Sequence, residues 1–465
     1  MHFWGLPLTD SALQHDVNYI EIENDRIYEI YPGEGHIFVV TKNKAIYGYG
    51  DNTFSQIFRD LPAKIESPQL VNFSPKIQVD KIFCGCDYTY ILANKGEVYS
   101  WGVNIKGQLG LGDFENRAQP GLVSNLGVKT ANGRNSLSSM GSLLYSDEII
   151  VDIACGSLHC IALSNKSRLF STGFGATYAL GHSDNTTLNL FKEITFFTEI
   201  FNGKKFRIDK VECGVSHSGA LIAKKVFVWG LFGKPEAQVS KLPMLINVDT
   251  EWTDFIMGDL LTVFLNAKGE VFTIGDNIDG QLGLANENTV FNHLPKLVSI
   301  PSKIEYITGG LNHVFAINFS NQKVFAWGSN RLGQINPSSL QQTYPKPVEM
   351  DWLYTGRSFA ITCKGNSTFY VSKTQLPQKD SGIDPLQVQC TQLQRELVGL
   401  AKDKEKLASE NKRLYEEVDQ LRMQMDESNR ASIQHASHKS GNTIDEINDS
   451  GLTSYQPVQN AVEEG

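Results

Sequence analysis

Two glycines keep a nearly fixed distance along this chain, copy after copy. The first is followed three residues later by histidine or an aromatic: Gly33/His36, Gly85/Tyr88, Gly156/His159, Gly214/His217 and Gly310/His313, with weaker copies at Gly258/Leu261 and Gly356/Phe359. The second closes a β-branched and aromatic run: Tyr49-Gly50, Trp101-Gly102, Thr172-Gly173, Trp229-Gly230, Ile274-Gly275 and Trp327-Gly328. The separation between them is always 16 to 18 residues, whereas successive first glycines stand 44 to 71 apart. Rigid spacing within a unit and loose spacing between units predicts one repeated hairpin joined by variable loops.

The runs themselves read as strands. "EVYSWG" and "KVFAWG" alternate and are rich in β-branched and aromatic residues. "HCIAL" and "HVFAI" are short apolar runs that suit a buried inner strand. A glycine at the head of that strand fits a point where backbones converge or φ is positive. The aromatic before the second glycine supplies large buried area between sheets. One such unit cannot bury both faces, so units must stack, and radial closure hides the sheet edges.

Seven first-glycine anchors predict seven blades. The seventh, "YTGRSFAITCKGNSTFYVS", has no Trp-Gly copy, while "MHFWG" at residues 1–5 is a Trp-Gly strand with nothing before it. The N-terminal strand, carrying Trp4, is therefore expected to complete the last blade; "STFYVS" is the alternative. An irregular Ser/Asn/Gly-rich stretch, Ser124 to Ser142, accounts for the longest gap and is expected to be a mobile surface loop.

These motifs resemble the regulator of chromosome condensation repeat family. They run Cys155-Gly156 with His159, then Gly96-Glu97-Val98-Tyr99-Ser100-Trp101-Gly102, then Gly107-Gln108-Leu109-Gly110. The order of elements is most similar to the retinitis pigmentosa GTPase regulator branch. The resemblance implies an all-β, seven-bladed β-propeller over residues 1–375. WD repeats are excluded because no Gly-His…Trp-Asp pairing recurs.

A different period follows. Residues 376–385 are a linker by composition. Leu386, Leu393, Leu400, Leu407, Leu414 and Leu421 then stand seven apart, with Asn411 at an a position, which predicts a two-stranded parallel coiled coil over 386–427. Residues 428–465 are polar and aperiodic and are expected to be disordered.

Function is narrowed mainly by exclusion. Net charge is −9; residues 380–465 hold 16 acidic and 9 basic side chains, leaving −2 for the remainder. That balance, with a chain that starts inside a strand and shows no basic arm, argues against nucleic acid as a partner. No apolar run reaches the roughly 20 residues of a membrane span, and the N-terminus has no signal-peptide pattern. The seven cysteines are scattered; Cys84, Cys155 and Cys213 share one repeat slot and read as small buried residues. "CGC" at Cys84–Cys86 has no second ligand pair. The four repeat histidines sit in different blades, too far apart to share an ion, so each is expected to bond a neighbouring blade's backbone. No metal or cofactor is expected.

The resemblance implies two uses. One is a non-catalytic adaptor that binds proteins, a small GTPase or trafficking and ciliary factors among them, as a homodimer. The other is a guanine nucleotide exchange factor. In exchange factors of the family an acidic residue and a histidine precede the repeat His position. Here those slots are Gly35, Asp87, Leu158, Ser216, Leu260, Asn312 and Ser358, so Asp87 alone is acidic. The adaptor reading is favoured on that ground. The expected location is the cytoplasm, including cytoskeleton, centrosome or cilium, rather than the nucleus.

Overall fold

In the computed structural model the strands assemble into seven four-stranded antiparallel sheets. The described residues are 2–5, 18–20, 22, 25–74, 77–126, 143–145, 147–202, 204–232, 239–285, 291–351, 353 and 359–372. Contacts divide the chain into Met1–Leu376 and Pro377–Gly465. The linker, the leucine heptads and the tail all lie outside the described residues.

Six sheets each use four consecutive strands. In chain order these blades span 27–70, 79–122, 150–193, 208–245, 252–297 and 306–349. The seventh sheet joins both ends of the ring: Phe359–Lys364, Ser367–Ser372, His2–Gly5 and Asn18–Tyr19. The two closure alternatives are thus both present, as adjacent strands. Gly5 lies opposite Ser367 as Gly50 lies opposite His36 and Gly102 opposite Tyr88, so Trp4-Gly5 fills the missing slot.

That register corrects the reading of the seventh unit. Gly356 lies outside the described residues, and Phe359 opens the blade's first strand. The blade's own anchor slot is Lys364, and its histidine slot is Ser367, because Cys363 faces Thr368 as Cys84 faces Thr89. Seven first strands lie against one another round the ring, 27–32 beside 79–84 and 359–364 beside 27–32. They, and not "HCIAL" or "HVFAI", are innermost. The histidine-headed run is the second strand of its blade. It is buried along its whole length, since it is covered by sheets on both sides.

The two glycine slots are required for different reasons. The second glycines all have positive φ, from 94° at Gly230 to 122° at Gly275. The six described first glycines do not. There the demand is space: a Cβ on Gly156 would lie 2.5 Å from Cε1 of His159 and 2.6 Å from the carbonyl oxygen of Gly214 in the next blade. Gly-x-x-His is therefore a packing motif in which an imidazole and a neighbour's carbonyl close on one Cα.

Trp101, Trp229 and Trp327 are fully buried. Each indole Nε1 donates backwards, to the carbonyls of Ile57 (3.3 Å), Ala179 (2.8 Å) and Gln281 (3.0 Å) in the preceding blade. Where the third blade has threonine instead, Thr172 Oγ1 donates to the Gly107 carbonyl at 3.0 Å. Outer strands carry Pro68, Pro120, Pro243, Pro295, Pro345 or Pro347, which blunt the exposed edges. The start of the expected loop at Ser124 is ordered instead. Ser124–Leu126 is a 3-10 turn, Leu126 is buried, and Asn125 Nδ2 donates to the Phe191 carbonyl at 2.9 Å. Residues 127–142 lie outside the described residues.

Gly156→Ala is expected to destabilise the ring by about 1–3 kcal/mol through overpacking. Gly35→Ala, where the nearest atom to a Cβ is 3.5 Å away, should be close to neutral. Chemical denaturation of both variants checks the contrast.

Candidate functional site: one face of the ring

Antiparallel alternation sends the loop after each first strand and the loop after each third strand to the same face. The inner loops are knit edge to edge by backbone bonds. Glu34 N donates to Gly85 O (3.4 Å), Val215 N to Gly258 O (3.1 Å), Asp259 N to Leu311 O (2.9 Å) and Leu311 N to Gly365 O (2.7 Å).

Beneath them runs a side-chain relay. His36 Nε2 meets Thr89 Oγ1 of the second blade at 3.0 Å, and that hydroxyl donates back to the Gln56 carbonyl of the first at 2.7 Å. His159, Ser218 and Ala179 repeat the pattern at 2.8 and 2.9 Å. His313, Thr368 and Gln334 do so at 3.0 and 2.7 Å, and His217 meets Thr262 at 3.1 Å. Because the hydroxyl's proton goes to the carbonyl, the imidazole donates from Nε2. The expected backbone partner is thus reached through a neighbour's hydroxyl. Tyr88 replaces the relay outright: its hydroxyl reaches the carbonyls of Gly156 (2.9 Å) and His159 (2.6 Å).

At the centre of the face the lining includes Glu34, Ser157, Val215, Leu311, Lys364 and Gly365. Ser157 Oγ donates to Glu34 Oε1 at 2.9 Å. Lys364 Nζ donates to the Cys155 carbonyl at 3.1 Å. Asp87 lies on the same face, beside this lining. Burial pushes its carboxyl above the usual range, the Cys86 thiol opposes that by donating to it, and the charges of Asp51 and Glu34 add to the rise. Asp259 is raised in the same way by burial, then by Glu34 and Asp276. Cys86 is held as a thiol by burial and by the charges of Glu34 and Asp87. Around this acidic mouth, tips of the third-strand loops expose Phe54 (44%), Ile105 (59%) and Ile278 (64%).

The sequence pointed to Asp87, which the structure places on this face, one residue outside the slot that lines its centre. Gly35, Leu158, Ser216, Leu260 and Asn312 occupy the equivalent slots of their blades, and Asn366 takes the slot assigned to Ser358. What sequence reading passed over is the slot one residue earlier, Glu34, Cys86, Ser157, Val215, Asp259 and Leu311, which lies nearer the axis. Its signal was available: it directly follows each first glycine. Among the described residues no group of histidine, cysteine, aspartate and glutamate is arranged to hold a metal ion. No helix among them is long and apolar enough to cross a membrane.

Burial lowers His36 and His217 to about 4 and His159 and His313 to about 3. Burial also lowers His182, to about 4, so the unfolded chain binds protons on five imidazoles, from about pH 6.5 downward, that the folded ring refuses. Stability should fall on acidification through about pH 6.5 to 4, at about 1.4 kcal/mol per pH unit for each histidine. The raised carboxyls of Asp87 and Asp259 act in the opposite sense, at the acid end. Calorimetry across this range should show a falling Tm, with a shallower fall in His217→Gln; a flat profile would mean the imidazoles are charged in the ring.

Two segments, residues 95–163 and 268–317, match the model of the regulator of chromosome condensation (RCC1) repeat. The chain is 26% identical over 329 residues to the human probable E3 ubiquitin-protein ligase HERC6, covering 67% of this chain and 30% of that protein. It is 24% identical to the Arabidopsis thaliana ultraviolet-B receptor UVR8, covering 70% and 71%. It is 25% identical to the mouse RCC1-like G exchanging factor-like protein, covering 63% and 62%. Among solved structures it is similar to yeast RCC1 (Prp20) bound to Kap60, with TM-score 0.62, 15% identity and coverage of 80% and 89%. It is also similar to human WBSCR16, with TM-score 0.61, 18% identity and coverage of 80% and 99%. The fold is a β-propeller, and two stretches of it match the RCC1 repeat.

Proposed function

We propose that this chain is a non-catalytic, protein-binding propeller of seven blades that works as a dimeric adaptor in small GTPase-linked or trafficking processes of the cytoplasm. The observation that carries the reading is the face just described. Half-buried carboxyls at Asp87 and Asp259 lie on that face within reach of the charge of Glu34 at its centre, and Phe54, Ile105 and Ile278 stand exposed on third-strand loop tips of the same face. Apolar tips around a charged centre suit a protein surface that brings cationic side chains to the mouth. The similarity to an RCC1-like G exchanging factor-like protein and to yeast Prp20, whose structure is described with its binding properties to Gsp1p and histones, supports a small GTPase as one partner class.

The second reading is guanine nucleotide exchange. Asp87 favours it, as an acidic group in the family's exchange slot on the mouth itself. Against it stand Gly35, Leu158, Ser216, Leu260, Asn312 and Asn366, none of which is acidic or histidine. Release of labelled GDP from a panel of small GTPases decides between them. The adaptor predicts binding without acceleration; an increase of about 100-fold, lost in Asp87→Ala, would establish exchange instead.

Dimerisation belongs to the same proposal. Leucine at each d position and Asn411 at a select a parallel pair. Two propellers held side by side would gain avidity of about 10²–10⁴ for an arrayed partner. Light scattering should give a dimer for the full chain and a monomer for residues 1–380; a full-length monomer at micromolar concentration would end the bivalent mechanism.

A further inference from the structure

One cross-strand position recurs beside the relay. The residue just before the first-glycine slot faces the second residue of the next strand across the hairpin: Cys84 opposite Thr89, Cys213 opposite Ser218 and Cys363 opposite Thr368. In two of these pairs sulfur and hydroxyl are in contact, at 3.8 Å for Cys213 and Ser218 and 3.6 Å for Cys363 and Thr368. The third blade departs from the pattern. Its pair is Cys155 opposite Cys160, so both facing atoms are sulfur. The cause lies next door: Tyr88 bonds the backbone of this hairpin, so no hydroxyl is needed in the slot that Cys160 fills.

We propose that Cys155 and Cys160 are a dithiol that closes to an intramolecular disulfide. Directly opposed residues of an antiparallel pair have Cα atoms about 4.5–5.5 Å apart, inside the roughly 4.4–6.8 Å that a disulfide spans. Both side chains are buried, at 6% and 0% exposure, and pack in one cluster with Tyr88 and Tyr90. The oxidant is a low-molecular-weight disulfide such as glutathione disulfide. One cysteine thiolate attacks it, forming a mixed disulfide and releasing one glutathione. The other cysteine then attacks the protein sulfur, forming the S–S bond and releasing the second. The protein gives up two electrons, and its two thiol protons end on the two glutathiones.

The closed loop is short, so little chain entropy is removed. The consequence is local. The hairpin carries Ser157, whose hydroxyl holds Glu34 at the mouth, so the bond would fix the lip of the face proposed for docking.

The test uses the full chain, reduced, unfolded and refolded in glutathione buffers from thiol-rich to disulfide-rich, then quenched with acid, alkylated and digested. Mass spectrometry should find the Cys155–Cys160 peptide lighter by two hydrogens and unalkylated, while Cys213 and Cys363 take the alkyl group. Cys160→Ser, which copies the pairing of the fourth blade, should fold and lose the signal. Refolding exposes both thiols to the buffer, so burial cannot mask a negative. Alkylation of both cysteines after the most oxidising buffer, or capture of Cys155 by glutathione or another cysteine alone, would overturn the proposal.

Discussion

Everything in this ring depends on how one blade holds the next without a continuous sheet between them. Hydrogen-bonded ladders end at each blade's own edges, so cohesion round the circle falls to side chains and loops. The histidine–hydroxyl–carbonyl relay supplies it: Thr89 is gripped by His36 and by the Gln56 carbonyl, both of the preceding blade. The bonds are buried, where an unmade partner costs about 1–3 kcal/mol, so each interface that carries the relay has one favoured alignment. The glycine before each histidine leaves room for the imidazole; the indole bonds of Trp101 and Trp229 add a second tie at two of the same interfaces, and that of Trp327 ties the fifth blade to the sixth, where no histidine stands.

The relay is also where the sequence was most and least legible. The spacing of Gly-x-x-His and Trp-Gly predicted hairpins, repetition and terminal closure because those positions carry strict steric or φ demands. It misassigned the innermost strand. "HCIAL" is the more apolar run, but the channel-side strand is half exposed and so carries residues such as Asp80, Lys81 and Asp152. It misplaced the seventh unit because Lys364 and Ser367 fill slots that elsewhere hold glycine and histidine. With Gly365 at φ 58° the turn is made differently there, and the motif disappears from the sequence while the register stays.

The candidate face was half legible for a related reason. Asp87 was found because the family's pattern points at its slot. Glu34 and Asp259 were not, although their slot directly follows each first glycine, because the family's pattern points one residue further along the loop. Phe54, Ile105 and Ile278 gave no warning either, since exposed apolar residues look like core ones in a sequence. Nothing in the fold alone selects a partner.

Closure from both ends has a consequence for how the molecule is made. His2–Gly5 pairs with Ser367–Tyr370, so this strand waits for a partner that is synthesised roughly 360 residues later. At roughly 5–20 residues per second that wait is on the order of tens of seconds, far longer than a hairpin takes to form. For that interval the strand presents unpaired backbone groups, and the six other blades form an open arc with two raw ends. A nascent chain of this design is therefore most exposed to misassembly until residues 367–370 emerge, and a chaperone that covered residues 2–5 over that interval would act on the contact that closes the ring.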